Sequence, residues 1–578
     1  MTVGARTARP LRAVVGAEAA RWRTFPQERT IAVVARTVTS VVRVLETLPA
    51  VVRGDPRIAV VFAHDPASAF QDGVLRLLEE NDCRVLPASR LAEIRPDLIL
   101  SASENVPAET GSCPVLVLPH GVGFQKLVPA RRGSGVRVSG VVSDRLLESG
   151  RAWLALSHPD QRAQLEESHP ASRNRTLLLG DPCFDELRAS LPRASAFRRR
   201  LGVPDGKRLV VLSSTWGRAS LLGDDPRLPG RVLARLPFDE YRVAAILHPN
   251  VWAAHGSWQI RALLAPALDA GLLLMPTVHA WRAALVAADV VVGDHGSVTL
   301  YGAALGKPTL LGAFGAGEVV PGTAVDLLGR AAPRLDGRRD LIAQLELALR
   351  EQGPEHYAEV RDAAFAEPGS AVSRLRSAVY RLLDLAEPPS PPPRGTVSVS
   401  GPRATEVRSW LVTTSLSTRE GHTVVTTRRH PAPAVEAHEE AYEGVVPEHG
   451  PVRHLASRED EPDERLVESA SVVLGEEAAR DERAAGDWIA ATLRRLPGSL
   501  AAAVALASPG RHLVGLRDGR LVEASGDLGP EETGLVAALV YALLRAEATP
   551  DGPFLLRSTP RRVRPVRLRI SPPARAPR

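Results

Sequence analysis

Short apolar runs that stop abruptly at histidine and glycine occur in both halves of this chain, and they constrain its fold more than any other feature. The first is Pro114 to Gly123, Pro-Val-Leu-Val-Leu-Pro-His-Gly-Val-Gly. The second is a pair of runs, Ile246-Leu247-His248-Pro249-Asn250 and Val290-Val291-Val292-Gly293-Asp294-His295-Gly296-Ser297. Open α/β sheets hold their ligands at the carboxyl ends of the strands, where such residues meet phosphates and move protons. Two halves, each with its own histidine, imply a cleft between two nucleotide-binding-like domains.

The rest of the chain repeats this grammar. Apolar runs at Ile58–Phe62, Arg84–Leu86, Leu98–Ser101, Val115–Leu118, Ala152–Leu156 and Thr176–Leu179 alternate with helical stretches. So do Leu209–Leu212, Val243–Leu247, Leu272–Leu274, Val290–Val292 and Thr309–Leu311. Short apolar strands alternating with helices read as parallel sheets. A basic hinge at Arg198-Arg199-Arg200 separates the halves, and Asp340–Leu385 reads as helical with a break at Gly353-Pro354.

At 578 residues the chain exceeds one core, and length alone implies three or four domains. The expected division is a loose arm over 1–28, a first Rossmann-like (acceptor) domain over 29–197 and a second (nucleotide donor) domain over 198–386. A proline-rich linker follows over 387–396, marked by Pro388-Pro389-Ser390-Pro391-Pro392-Pro393. An accessory α/β region of unknown fold covers 397–556, with 433–486 acidic and in part loop, a hairpin turned at Asp518-Gly519 and a helix over Glu531–Leu544. The tail over 557–578 has eight arginines and no acidic residue, and reads as disordered. Its charge suits an anionic membrane face, although a solvated tail is the plainer reading.

Composition excludes several classes. With 44% hydrophobic and 24% charged residues the chain is globular. A net charge of +6 over this length, without a basic stripe interleaved with aromatics, gives no nucleic-acid signature. Three separated cysteines, Cys83, Cys113 and Cys183, form no zinc or disulfide framework, and a reducing cytoplasm fits them. Neither a signal peptide nor a membrane-spanning run is apparent, and no GxxxxGK[ST] motif occurs. No protein-bound metal is expected.

The strand ends hold the candidate chemistry. His120 suits a general base, and Gly121 with Gly123 lets backbone amides approach an anion; a hydrogen-bonded turn histidine is the bland alternative. His248-Pro249 repeats that arrangement in the second half. Gly296, Ser297, Val298 and Thr299 would open a helix whose free amides and dipole bind a donor phosphate, against simple capping by Asp294 or Ser297. Thr215, Trp216, Asp294 and Lys307 suit nucleotide or cleft contacts, with core packing the alternative for the tryptophan, and Lys307 follows the phosphate turn at helix-plus-turn distance. Asp181-Pro182 reads as an interdomain turn.

Taken in order, these turns resemble the CDP-glycerol glycerophosphotransferase family of teichoic-acid polymerases, within the GT-B superfamily. That pattern is a His-Gly turn ending in lysine, Gly-x-Pro-x-x-Asp, Thr-Trp, His-Pro, Asp-x-Ser-Ser and Lys-Pro. Here it is matched by His120-Gly121 with Lys126, Gly180 to Asp185, Thr215-Trp216, His248-Pro249, Asp294 with Ser297, and Lys307-Pro308, within residues 55–345. The chain departs from it at Val122 to Gln125 and at Gly296, which stands for one serine. The Asp-x-Gly-Ser form also resembles the nucleotide-sugar 2-epimerases.

The resemblance implies an α/β, GT-B fold and a transferase of cell-envelope polymer synthesis. It would move glycerophosphate, a polyol phosphate or a sugar from a CDP- or UDP-linked donor to a hydroxyl acceptor. His120 would be the base, and His248 a phosphate contact or second acid/base group. The implied setting is cytoplasmic, extending to the inner face of the plasma membrane if the acceptor is membrane-linked. Two rivals stand beside it: an epimerase using Asp294, Glu318 or Asp144, and a non-catalytic GT-B scaffold.

Overall fold

The computed structural model describes residues 11–13, 24–68, 71–106, 111–129, 135–278, 280–393, 395–397, 402, 405–419, 421–440, 451–560 and 562–571. Its first part is an eight-stranded parallel sheet. From one edge the strands run Leu11–Arg12, Arg84–Pro87, Ile58–His64, Arg29–Ala35, Leu98–Ser101, Val115–Val117, Ala152–Leu156 and Thr176–Leu178. Helices cover both faces, so the strands are apolar throughout: Ile31 to Ala35 are all buried. The sheet order reverses between Arg29–Ala35 and Leu98–Ser101, the switch point at which doubly wound folds bind ligands.

A second parallel sheet of five strands runs Leu273–Leu274, Tyr241–Leu247, Arg208–Ser214, Val290–Gly293, Thr309–Leu311. Its switch point lies between Arg208–Ser214 and Val290–Gly293, in register from Val210 opposite Val290 to Leu212 opposite Val292. Each apolar run expected in these halves forms a strand. The two sheets with their helices are Rossmann-like units facing a cleft, the GT-B arrangement.

Two boundaries differ from expectation. The helix Ala371–Leu382 lies in sequence after the second domain but packs on the helix Val38–Val51 of the first, sending Leu375, Ala378 and Val379 into that core. The range 198–386 is therefore not one domain. The two residues Leu11–Arg12 of the arm pair with Arg84–Val85 at the first sheet's edge, while most of 1–23 lies outside the described residues.

The C-terminal region is a closed nine-stranded barrel threaded by one helix. Every residue from Thr533 to Leu543 of the helix Thr533–Arg545 is buried. A helix that is apolar all round needs a wall on every side. The strands give it one: Val412, Val425, Ala456, Val472, Ala503, Val514, Val522, Leu556 and Leu568 share its core. The hairpin at Asp518-Gly519 joins Arg511–Leu516 to Leu521–Gly526 as expected.

The tail reading is corrected here. Gly552–Thr559 and Arg562–Ser571 are paired antiparallel barrel strands, and of this tail Arg561 and the residues past 571 lie outside the described set. In Arg562–Ser571 the arginines alternate with apolar residues, so Val566 and Leu568 point inward while Arg567 and Arg569 stay in solvent. Likewise 433–486 holds the barrel strands Val452–Arg458 and Val472–Leu474, with residues 441–450 outside the described set.

The barrel sits against the second domain. Its Arg429 guanidinium grips Asp239 with two hydrogen bonds, 2.9 and 2.6 Å, and the helix Ala432–Ala437 sends Ala434 and Val435 into that domain's core. Asp239 lies two residues before the strand Tyr241–Leu247, so the barrel lies at the amino ends of the strands, away from the cleft.

Candidate functional site in the interdomain cleft

Both switch points open into one cavity of about 450 Å³. The first domain contributes Arg36, Arg43, His120 and Lys126 to it, and the second contributes Thr215, Trp216, His248 and Ser297. The loop after Val115–Val117 crosses between the domains. Its Val122 amide donates to Ser297 Oγ at 3.3 Å, and its Lys126 Nζ donates to Thr215 Oγ1 at 2.8 Å. The same loop receives a hydrogen bond from the Val320 amide at Gln125 O, 3.0 Å.

This closeness dictates two glycines. A Cβ on Gly121 would stand 2.7 Å from Ser297 Oγ. A Cβ on Gly296 would stand 2.9 Å from Asp294 Oδ1 and 3.2 Å from Thr215 Cβ. The glycine in place of a serine at 296 thus suits the crowding of this turn.

The helix Ser297–Ala304 begins at Gly296, and no side chain caps it. Its amino end faces the cavity through Gly296, Ser297 and Val298. Uncapped first-turn amides and the helix dipole make such an end receptive to an anion. Asp294 does not occupy it: its buried carboxylate accepts from the amides of Thr215 (2.7 Å), Leu221 (2.8 Å) and Gly296 (2.9 Å). It ties three turns together and does not line the cavity.

His120 lines the cavity and is exposed within it, with protein atoms crowding the ring on several sides. This desolvation holds its pKa below the ordinary histidine value; Glu104 opposes the shift, and Arg43 and Lys126 reinforce it. The shift favours the neutral ring, which can accept a proton. His248 is pushed down to about 3, by burial first and then by Lys126 and His120. Its Nδ1 accepts from the Asn250 amide at 3.1 Å, capping the helix Pro249–Leu263. The remaining proton is on Nε2, which makes His248 a hydrogen-bond donor. Burial also lowers the pKa of Lys126, with Asp294 and Glu318 pulling the other way.

The cavity floor is tied across the domains. Buried Arg43 donates to Tyr301 Oη at 3.1 Å and pairs with Asp181 at 3.5 Å, and Tyr301 donates to Asp181 at 2.7 Å. Asp181 also caps the helix Pro182–Ser190 through the amides of Cys183 (2.8 Å) and Phe184 (3.0 Å), so it is the interdomain turn its sequence implied. Beside it, Arg282 joins Glu46 of the first domain at 3.1 Å and also pairs with Glu186.

Besides Asp294, two expected site residues lie elsewhere. Lys307 Nζ donates to the carbonyls of Val286 (2.8 Å) and Ala288 (2.9 Å), closing the end of the helix Ala280–Ala287. It precedes the strand Thr309–Leu311, so it stands at the amino end of the sheet. Thr299 is fully buried, and its hydroxyl accepts from the Asp294 amide at 3.2 Å. It does not line the cavity. Of the epimerase carboxylates, Asp144, Asp294 and Glu318, none lines the cavity, and Glu318 Oε2 is 3.0 Å from His295 Nε2.

Arg36, Arg43, Glu46, Glu104 and Tyr301 also line the cavity, and the strand-end pattern gave none of them a role. Among the described residues, no three His, Cys, Asp or Glu side chains are grouped to hold a metal. None of the described helices is long and apolar enough to cross a membrane.

The fold is a GT-B arrangement of two Rossmann-like domains with an anion-receptive seam between them. Solved structures of this class are similar to it at the level of fold. The wall teichoic acid polymerase TagF is 12% identical with a TM-score of 0.38, over 61% of this chain and 89% of that one. The UDP-GlcNAc 2-epimerase from Neisseria meningitidis bound to UDP-GlcNAc is 16% identical with a TM-score of 0.39, over 61% of this chain and 100% of that one. The S. aureus MnaA–UDP complex is 11% identical with a TM-score of 0.39, over 63% and 99%. No protein-family model and no curated protein matches the sequence.

Proposed function

We propose that this protein is a transferase that moves a group from a nucleoside-diphosphate-activated donor, CDP- or UDP-linked, to a hydroxyl acceptor. The observation that carries this reading is the Val122–Ser297 contact, which brings the His120 loop of one domain onto the uncapped helix end of the other. The donor diphosphate lies at the amides of Ser297 and Val298, with the Ser297 hydroxyl turning from Val122 to phosphate. His248 Nε2–H and Lys126 stabilise the charge that grows on the departing nucleotide.

His120, neutral at working pH, takes the acceptor proton as the new bond to the transferred group forms and the bond to the nucleotide breaks. The proton ends on His120 and the electron pair on the nucleotide phosphate. Arg43 and Tyr301 fix the floor on which both substrates are oriented. The transferred group falls in the range of glycerophosphate, polyol phosphate and sugar, and cell-envelope polymer synthesis is the matching process.

Asp144, Asp294 and Glu318 do not line the cavity, and the carboxylates that do, Glu46 and Glu104, are engaged by Arg282 and Arg137, which favours transfer over epimerisation. The test is a transfer assay with CDP- and UDP-linked glycerol, ribitol and sugars, run alongside donor-binding calorimetry. His120→Ala is expected to lose turnover about 10²–10⁴-fold while retaining donor affinity. Near wild-type turnover in His120→Ala would remove the base assignment.

A further inference from the structure

The loop that carries His120 is held by three glutamines. Its Gly123 carbonyl accepts from Gln125 Nε2 at 3.2 Å and from Gln161 Nε2 at 3.1 Å, and its Phe124 carbonyl accepts from Gln164 Nε2 at 2.7 Å. The Gln125 carbonyl accepts from the Val320 amide of the second domain at 3.0 Å. Gln161 and Gln164 stand three residues apart on the helix Asp160–Ser168, so they share the face that meets the loop. Neither lines the cavity, whereas Gly121 to Lys126 all do.

These contacts fix the peptide between Gly123 and Phe124. Phe124 has a φ of 62°, a conformation that a bulky residue adopts only when its surroundings impose it. The other six non-glycine residues of positive φ among the described residues are exposed, while Phe124 is 3% exposed. Its ring lies in the first domain's core and against Gly140, where a Cβ would stand 3.3 Å from Phe124 Cε1. A trans peptide points its N–H opposite to its carbonyl. With the Gly123 carbonyl turned to Gln161, the Phe124 N–H is turned away from that helix, and nothing among the described residues accepts from it. The amides of Gly121 and Gly123 are likewise without an acceptor, and that of Val122 meets Ser297 Oγ alone. Buried amides are almost always paired. A run of unpaired ones beside a left-handed residue is an anion-binding concavity.

We propose that Gln161 is a positioning residue: by holding the Gly123 carbonyl out of the cavity, it aims the Phe124 amide at an oxygen of a bound phosphate. The anion lies between the amides of this loop and those of Ser297 and Val298 on the facing domain. The glutamine support belongs to this chain in particular, since Val122 to Gln125 is the stretch at which it departs from the family pattern. Assigning the phosphate to a nucleotide donor rests on the transferase reading; the amide cradle and its support do not.

Two variants test this. Gln161→Glu keeps the acceptor contacts that Gln161 Oε1 makes with the amides of Ser157 (2.9 Å) and His158 (3.3 Å), and loses the N–H that meets Gly123. Gln161→Met loses that N–H without adding charge. The probe is inorganic pyrophosphate, titrated calorimetrically into the full chain below the thermal midpoint of each protein, where a loss of stability alone leaves affinity unchanged. The wild type is expected to bind, and both variants at least about tenfold more weakly, as loss of a hydrogen bond to a charged group requires. Hydrogen exchange of the wild type needs no variant: the segment Pro119 to Lys126 is expected to exchange more slowly with pyrophosphate bound.

Wild-type affinity in Gln161→Met, no pyrophosphate binding by the wild type, or unslowed exchange in that segment overturns the proposal. Weakening in Gln161→Glu alone does so too, since it would report the added charge and not the lost donor. Pyrophosphate carries neither a nucleoside nor a transferable group. Protection of the loop by pyrophosphate without any transfer activity would therefore sink the transferase reading and keep the cradle, and selective nucleotide binding that leaves the loop unprotected would do the reverse.

Discussion

Lys126 and Thr215 belong to different sheets, and the lysine ammonium donates to the threonine hydroxyl across the cleft at 2.8 Å. With Val122 on Ser297 it closes the cavity around a group of positive and proton-donating side chains, Arg43, His120, Lys126 and His248. Removing the cation while keeping a donor separates its charge from its contact. Lys126→Gln is expected to bind nucleoside diphosphate about tenfold more weakly or worse, as loss of a charge-assisted hydrogen bond requires. Its affinity should also depend less on salt. Calorimetry at two ionic strengths checks both; unchanged affinity would take Lys126 out of the diphosphate site.

The histidine base sets a pH profile. His120 acts when neutral, and its surroundings hold its pKa below the usual value. Turnover should therefore stay on its plateau below the ordinary histidine pKa of ~6.5 and fall on the acid side only as His120 gains its proton. A profile of kcat/KM against pH with an acid limb above that value would contradict the assignment.

Stability has a matching acid limb. His248 is lowered to about 3, and His430, His454 and His512 to about 4, each mainly by burial. In the unfolded chain all four take up protons near the ordinary value of ~6.5, so the unfolded state binds more protons as the pH falls. Their contribution is fully present above that value and is lost progressively towards about 4, and for His248 towards about 3. Thermal midpoints measured across that window should drop, and His454→Phe should reduce the slope. A flat or rising midpoint there would be the contrary result.

Lys307 separates support from binding. Its ammonium closes two carbonyls at the far end of the sheet, and burial lowers its pKa to about 8. Lys307→Met is expected to lose about 1–3 kcal/mol of stability by leaving those carbonyls unsatisfied, with donor affinity intact. Loss of donor binding in a variant of unchanged stability would return Lys307 to the site.

The barrel's central helix gives a similar control. Leu539 is fully buried among the strands, and Leu539→Ala should cost about 2–5 kcal/mol. Because the barrel meets the second domain at its amino-end edge, the nucleotide-induced shift of the cleft domains should persist in this variant.

How much of this was legible follows from which contacts are local. Strands buried on both faces are continuous apolar runs, so the sheet strands from Ile58 to Leu311 stand out, and with them the strand ends bearing His120, His248 and Ser297. Arg562–Ser571 was hidden because composition masked period: its arginines read as a solvated tail, although Val566 and Leu568 alternate with them as a half-buried strand requires. The return of Ala371–Leu382 to the first domain is a tertiary event with no local mark. Arg43 and Tyr301 lie inside helices and reach the cavity only through packing. Lys307 was misplaced because spacing in sequence cannot say which end of a sheet a residue occupies; it precedes its strand, and ligands gather where strands finish.

The most direct measurement is thermal unfolding of the wild type and Ser297→Trp against CDP, UDP, GDP, CMP and their activated sugars and polyols. A ligand at ~100 times its Kd adds about 2.7 kcal/mol, which raises Tm by roughly 5–10 °C for a domain of about 200 residues. The account predicts a selective shift by one nucleoside diphosphate and its conjugates, abolished in Ser297→Trp and kept in Lys307→Met. No shift with any nucleotide, or an equal shift in Ser297→Trp, would contradict a donor site at the helix Ser297–Ala304.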